Sequence, residues 1–141
     1  MEDISSKTNN PVIDFSPLAN WNVLSVINMY CMFQNVNILS YQAFKNWNVS
    51  KVQNFVNMFN QTSASTVNTL AGLENWDVSS AIIMAYMFQD NANLVDASAI
   101  NNWNINSGIN FENMFYHTPV HPEFTKVSGT WDENGTFTPN A

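Results

Sequence analysis

Trp47-Asn48-Val49-Ser50-Lys51-Val52-Gln53-Asn54-Phe55-Val56-Asn57-Met58-Phe59 is the stretch that decides the fold, because its outline recurs along the chain. Tryptophans stand at Trp21, Trp47, Trp76, Trp103 and Trp131, spaced 26, 29, 27 and 28 residues apart by subtraction. Each of the first four is followed 11 residues later by Met32-Phe33, Met58-Phe59, Met87-Phe88 or Met114-Phe115. The return from each Met to the next Trp takes 15, 18, 16 and 17 residues. A fixed interval with a variable return marks a tandem repeat whose framework is rigid and whose loops absorb insertions.

Further columns agree. Asn20, Asn46, Asn75 and Asn102 precede the Trp; Asn22, Asn48, Asp77 and Asn104 follow it; Val23, Val49, Val78 and Ile105 come next. Leu18, Phe44, Leu73 and Ile100 stand three residues before each Trp, and Met29, Phe55, Met84 and Phe111 eight after it. Met29, Met32 and Phe33, at i, i+3 and i+4, predict one apolar stripe on a short inward-facing helix. The Asn/Asp-Val-Ser stretch before it suits a short extended segment or tight turn. Tyr30, Val56, Ala85 and Glu112, then Cys31, Asn57, Tyr86 and Asn113, vary in type and are expected to face outward. One copy cannot bury its own Trp, Met and Phe, so neighbouring copies are expected to share a core.

These features predict one domain over residues 1–141, an α/β repeat solenoid of short strands and short helices. Residues 1–20 form an N-terminal cap, residues 21–46, 47–75, 76–102 and 103–130 four repeats, and residues 131–141 a C-terminal cap. Ser16-Pro17 resembles an N-cap followed by Pro at the first helical position. Asn134-Gly135 before Thr136-Phe137-Thr138 reads as a tight turn into a closing strand. The predicted repeat core is Trp21, Trp47, Trp76, Trp103, Met32, Phe33, Met58, Phe59, Met87, Phe88, Met114 and Phe115. The Asn column is expected to stack as a structural ladder of amides.

Composition narrows the function classes. The chain is 45% hydrophobic and 13% aromatic, enough for a core, but only 11% charged, with a net charge of −7. Lys7, Lys45, Lys51 and Lys126 stand singly, which argues against tracking of nucleic-acid phosphates or anionic membranes. Residues 1–10 hold no apolar signal core, and no run approaches a membrane span. Cys31 is the single cysteine, so no internal disulfide can form.

The strings Trp47 through Phe59, and Trp76-Asp77-Val78-Ser79-Ser80 with Met84 and Met87-Phe88, resemble the BspA-like surface-protein repeat. This mycoplasma-lipoprotein-type family is related to leucine-rich repeats. The resemblance runs over residues 11–131, with Ala81 and Gly108 where the pattern usually has Val. It implies a leucine-rich-repeat-like solenoid found in secreted or surface-attached microbial proteins, adhesins and antigens among them, with no catalytic residues to transfer.

Other chemistry is weaker. His117 and His121, with Glu123 nearby, have zinc-ligand spacing, but Pro119 and Pro122 interrupt the helix that spacing needs. Cys31 lacks a positioned base, and Asp77, Asp90, Asp96, Glu112 and Glu123 do not form a glycosidase pair. Asn48-Val49-Ser50, Asn60-Gln61-Thr62 and Asn134-Gly135-Thr136 fit the glycosylation sequon, which matters only in a eukaryotic secretory host. Tyr30, Tyr41, Tyr86 and Tyr116 are the candidate ligand-binding residues, since an amphipathic ring offers contact area at low entropy cost. Residues 63–69 and 117–123 are the other unrepeated places to look for function. The expectation is a non-enzymatic surface or secreted binding and adhesion module for an extracellular protein or glycan, without metal or cofactor. The alternative is a structural spacer within a larger surface protein. Partner identity and oligomeric state stay open.

Overall fold

The structure is a computed structural model and describes residues 15–61 and 66–140. The first 14 residues fall outside that range, as do residues 63–65 of the insertion at residues 63–69 and Thr62 of the second sequon.

Each copy is held by local bonds that its polar residues dictate. Seven residues before the Trp, Ser40 Oγ, Thr69 Oγ1 and Asp96 Oδ1 accept the N–H two residues on, from Gln42, Ala71 and Ser98. Such side-chain acceptors open a turn. Single 3₁₀ turns follow at Tyr41–Phe44 and Ser98–Ile100, with an equivalent at Ser16–Leu18. The turns bury Tyr41, Phe44 and Ile100, and Leu70 and Leu73 are buried at the matching places. Pro17 lies in the first turn as expected, but the cap residue is Phe15 and not Ser16. After the Trp, Asn22, Asn48 and Asp77 each accept the N–H two residues on, at 3.0 Å.

A column the sequence reading passed over lies seven residues after the Trp. Asn28, Asn54, Ile83 and Asn110 pair successively as parallel bridges, and Thr69 pairs with Asp96 in the same way. Asn28, Asn54 and Asn110 also each accept the N–H two residues on, at 2.9 Å.

The Met-Phe stretch is not helical. Among the described residues there is no α-helix; residue 28 is a bridge and residues 30–35 are turn. The reason lies in the third residue of the stripe: Cys31, Asn57, Tyr86 and Asn113 have φ of 56, 57, 60 and 50°, which breaks a right-handed helix. Amide groups alternate in consequence. Met32 N and Gln34 N close local turns onto Met29 O and Cys31 O. Met29, Cys31, Phe33 and Asn35 donate instead to Asn54, Val56, Met58 and Asn60 of the next copy, at 2.7–3.0 Å. Phe55, Asn57, Phe59 and Gln61 donate likewise to Ile83, Ala85, Met87 and Gln89, and Met84, Tyr86, Phe88 and Asp90 to Asn110, Glu112, Met114 and Tyr116. Along the Met-Phe stretch every junction therefore has its donors on the earlier copy and its acceptors on the later one, whereas just ahead of it Gln53, Ile82 and Asn110 donate back to Ile27 O, Gln53 O and Ile82 O.

The core lies between the 3₁₀ side and the Met-Phe side. Phe33, Phe59, Phe88 and Phe115 stack in one column, with successive ring centroids 5.9, 5.7 and 5.2 Å apart. Trp47, Trp76 and Trp103 form a second column, each indole Nε1 donating to the carbonyl three residues ahead of the preceding Trp, at Leu18 O, Phe44 O and Leu73 O over 2.8–2.9 Å. The indole thus buries its ring and satisfies its donor in one placement. Trp21 departs from the predicted core. It is 54% exposed, against 1–3% for the other three, because no earlier copy covers it among the described residues. Met32 is half-buried, whereas Met58, Met87 and Met114 are fully buried. Outward placement holds for Tyr30 and Glu112 but not for Ala85, which is buried.

The Asn residues preceding the Trp are exposed and do not form the expected ladder. The buried polar ladder is made by other residues. Gln61 Nε2, Asn91 Nδ2 and Thr118 Oγ1 reach Phe33 O, Phe59 O and Phe88 O of the preceding copy at 3.5, 3.0 and 2.7 Å. They serve carbonyls that would otherwise be underbonded in the interior.

Two antiparallel strands close the last copy, β1 at Gly129–Trp131 and β2 at Phe137–Pro139. Asp132 Oδ1 accepts from Asn134 and Thr136 and sets the turn, with Gly135 at φ 71°. Trp131 leaves the Trp column, packs edge-on to Phe115 at 5.4 Å and stacks on His121 at 4.7 Å. The hairpin meets the outgoing donors of copy four, with Phe115 N on Gly135 O and Asn113 N on Thr136 Oγ1, at 3.0 and 2.8 Å.

Candidate interaction surface

The four candidate tyrosines do not converge. Tyr41 is fully buried, with its ring edge-on to Phe59 at 4.8 Å, so it is a core residue and no ligand contact. Its 3₁₀ turn faces the interior, and burial raises its phenol pKa well above the ordinary tyrosine range. Tyr86 and Tyr116 are half-buried, Tyr86 at a left-handed position and Tyr116 stacked on His117. Tyr30 is 57% exposed, and its hydrogen bond with Cys31 raises its phenol pKa.

His117 and His121 go separate ways. His117 Nδ1 lies 3.2 Å from Asp90 Oδ1 of the preceding copy, while His121 Nδ1 lies 2.9 Å from Pro122 O. Both line an open cleft of about 400 Å³ between the end of copy four and the hairpin. No group of three or more His, Cys, Asp or Glu side chains among the described residues could hold a metal ion.

Two exposed polar groups are tuned by the repeat itself. Hydrogen bonds from Ser79, then from Asn104 of the next copy, lower the pKa of Asp77. Hydrogen bonds from Ser98 lower that of Asp96. Asp77, Lys45, Asn46, Asn48 and Asn75 line a second open groove, of about 330 Å³, beside the edge of Trp47.

The exposed apolar residues are the feature that the sequence reading missed. Ile27 and Ile82 are 57% and 58% exposed, and Leu24, Tyr30, Leu39 and Val95 are exposed as well. Ile27 O accepts from Gln53 N, and Gln53 O from Ile82 N, each at 2.8 Å, so Ile27, Gln53 and Ile82 lie in register across three copies. All stand six residues after their Trp, a column the repeat comparison could have singled out.

The copies of the sequence unit are bridged in parallel and share one aromatic core, with part of their outer surface exposed. Residues 1–124 match the family described as "Mycoplasma protein of unknown function, DUF285", and the chain belongs to that family. No curated protein and no solved structure matches it. No helix among the described residues is long and apolar enough to cross a membrane.

Proposed function

We propose that the chain is a non-enzymatic binding module, a leucine-rich-repeat-like solenoid of the BspA-like kind that a microbial cell displays or secretes to hold a protein or glycan. One observation carries this reading: the in-register exposed column of Ile27, Gln53 and Ile82. Adjacent ladder positions lie about 4.8 Å apart, so Ile27 and Ile82 are separated by about 10 Å. The two exposed isoleucines on either side of Gln53 combine apolar contact with a hydrogen-bonding amide, and exposed apolar surface marks contact sites. The mycoplasma family supports a microbial source, and the scarcity of charge suits recognition by hydrogen bonds and apolar contact.

The test is an array of glycans and extracellular proteins probed with the purified chain and with an Ile27→Asp, Ile82→Asp variant. The reading expects ligands that bind the chain and are lost by the variant. Silence across the array at micromolar concentration overturns it and leaves the spacer, with no ligand of its own.

A further inference from the structure

The polar residues on either side of each Trp serve neither the core nor the buried ladder. Asn46 and Asn48 flank the buried Trp47, Asn75 and Asp77 flank the buried Trp76, and all four are exposed. Each Trp turned inward thus leaves a pair of polar side chains turned outward. Between the segments around Trp76 and Trp103 this face is closed by Asn104, whose Nδ2 donates to Asp77 Oδ1 at 3.0 Å and whose Oδ1 accepts from Val78 N at 3.2 Å. Between the segments around Trp47 and Trp76 no hydrogen bond joins Asn48 or Val49 to Asp77, and there the groove of about 330 Å³ opens.

The lining of that groove decides what fits it. The Asn46 and Asn75 side chains hold no hydrogen bond among the described residues, and Asn48 uses only Oδ1, toward Ser50 N. A carboxamide brings two donors and an acceptor, which is what a hydroxyl needs in order to donate and accept together. Among the lining residues only Lys45 and Asp77 are charged, with opposite sign, so the groove selects neither anions nor cations. It also holds no aliphatic side chain, and Trp47 is 3% exposed, so it lacks the pockets by which extended peptides are recognised.

The chain itself shows which group this column accepts. Asn102 stands ahead of Trp103 as Asn46 and Asn75 stand ahead of theirs, and its Oδ1 accepts the hydroxyl of Thr125 at 2.6 Å. Asn101 beside it accepts Glu123 N at 2.8 Å. An alcohol hydroxyl thus sits on one member of the column, at a place independent of the groove.

We propose that the groove between the Trp47 and Trp76 segments is a binding site for a neutral saccharide, with hydroxyls bonded to Asn46 and Asn75 and flanked by Asn48 and Asp77. The site uses none of the exposed isoleucines, so it and the surface proposed above fail separately.

The test titrates the full-length chain with neutral oligosaccharides of glucose, galactose, mannose and N-acetylglucosamine. Sulfated and sialylated oligosaccharides and a peptide of residues 121–127 form the other arms, and the asparagine side-chain amide signals are followed by two-dimensional NMR. A neutral oligosaccharide is expected to bind and to shift the Asn46, Asn48 and Asn75 amides, with little response to added salt because no ion pair is screened. Asn46→Ala with Asn75→Ala is expected to weaken this binding by about tenfold or more, whereas Ile27→Asp with Ile82→Asp leaves it unchanged. Binding that is lost with the isoleucines while the Asn46 and Asn75 amides stay unmoved overturns the groove and leaves the isoleucine surface standing. Silence of every neutral oligosaccharide at millimolar concentration, preference for the charged ones, or binding of the peptide alone also overturns it. Should the asparagine variant not fold, the amide shifts of the unaltered chain decide by themselves.

Discussion

Replacing Trp76 with Ala removes a ring that is 2% exposed and packs against Phe55, Phe59 and Trp103, at centroid distances of 6.1, 6.1 and 6.3 Å. It also removes the 2.8 Å bond from Nε1 to Phe44 O. Deleting a buried aromatic costs about 3–5 kcal/mol, the indole bond being part of that loss. For a chain of this size each kcal/mol lowers the melting temperature by about 3–4 °C, so the expected drop is about 10–20 °C. Two companions divide the effect. Trp76→Phe keeps a ring in the stack but loses the donor, and since Phe44 O keeps Trp47 N at 3.1 Å, the carbonyl is not orphaned. Its cost is then about 1–2 kcal/mol. Trp21→Ala, at a residue 54% exposed, is expected to cost about 1 kcal/mol or less. Thermal unfolding followed by circular dichroism measures all three. Equal losses for Trp21→Ala and Trp76→Ala would refute the idea that each indole is anchored by the stretch ahead of the preceding Trp.

Gly72→Ala forces a Cβ to within 2.6 Å of the Tyr41 carbonyl at φ 114°, and chemical denaturation should show a loss above about 2 kcal/mol. Asn91→Ala leaves Phe59 O without its side-chain donor and weakens the hold on Phe88 O, an expected loss of about 1–3 kcal/mol by the same assay. Asn113→Val puts a β-branched residue at φ 50°, with an expected cost of about 1–2 kcal/mol. Asp77 has a lowered folded-state pKa, so its contribution is complete above the ordinary carboxylate value of 3.8 and disappears as pH falls from there through the folded value. Asp77→Asn keeps an acceptor for Ser79 N and should flatten that acid limb of the melting curve; an unchanged slope below pH 4 would count against the assignment.

The columns of large apolar residues were legible because burial repeats with the copy: Phe44, Met58, Phe88 and Trp103 occupy the interior their spacing implies. The helix was misread because apolar spacing at i, i+3 and i+4 does not distinguish a helical turn from turns broken by a left-handed residue. The clue was Asn57 and Asn113 at that third position, since Asn tolerates positive φ better than most residues. Trp21 was misplaced because the repeat pattern treats all copies alike, whereas the first copy has no predecessor among the described residues to cover it. Tyr41 was placed outside because it is unrepeated, but the 3₁₀ turn that it begins carries it inward against Phe59. The exposed Ile27 and Ile82 escaped notice because Gln53 and a buried Ile109 share their column, which masks its outward side.

The indole bonds join residues 29, 32 and 30 positions apart, one copy's length plus three residues each time. Closing a loop of that length costs about 3 kcal/mol in chain entropy beyond a constant, and the cost is the same for every copy added. Contact order measured in residues is therefore set by the unit and not by the chain. Nucleation can begin at whichever pair of neighbours meets first and spread in both directions, so a longer array of this unit should fold about as fast as a shorter one.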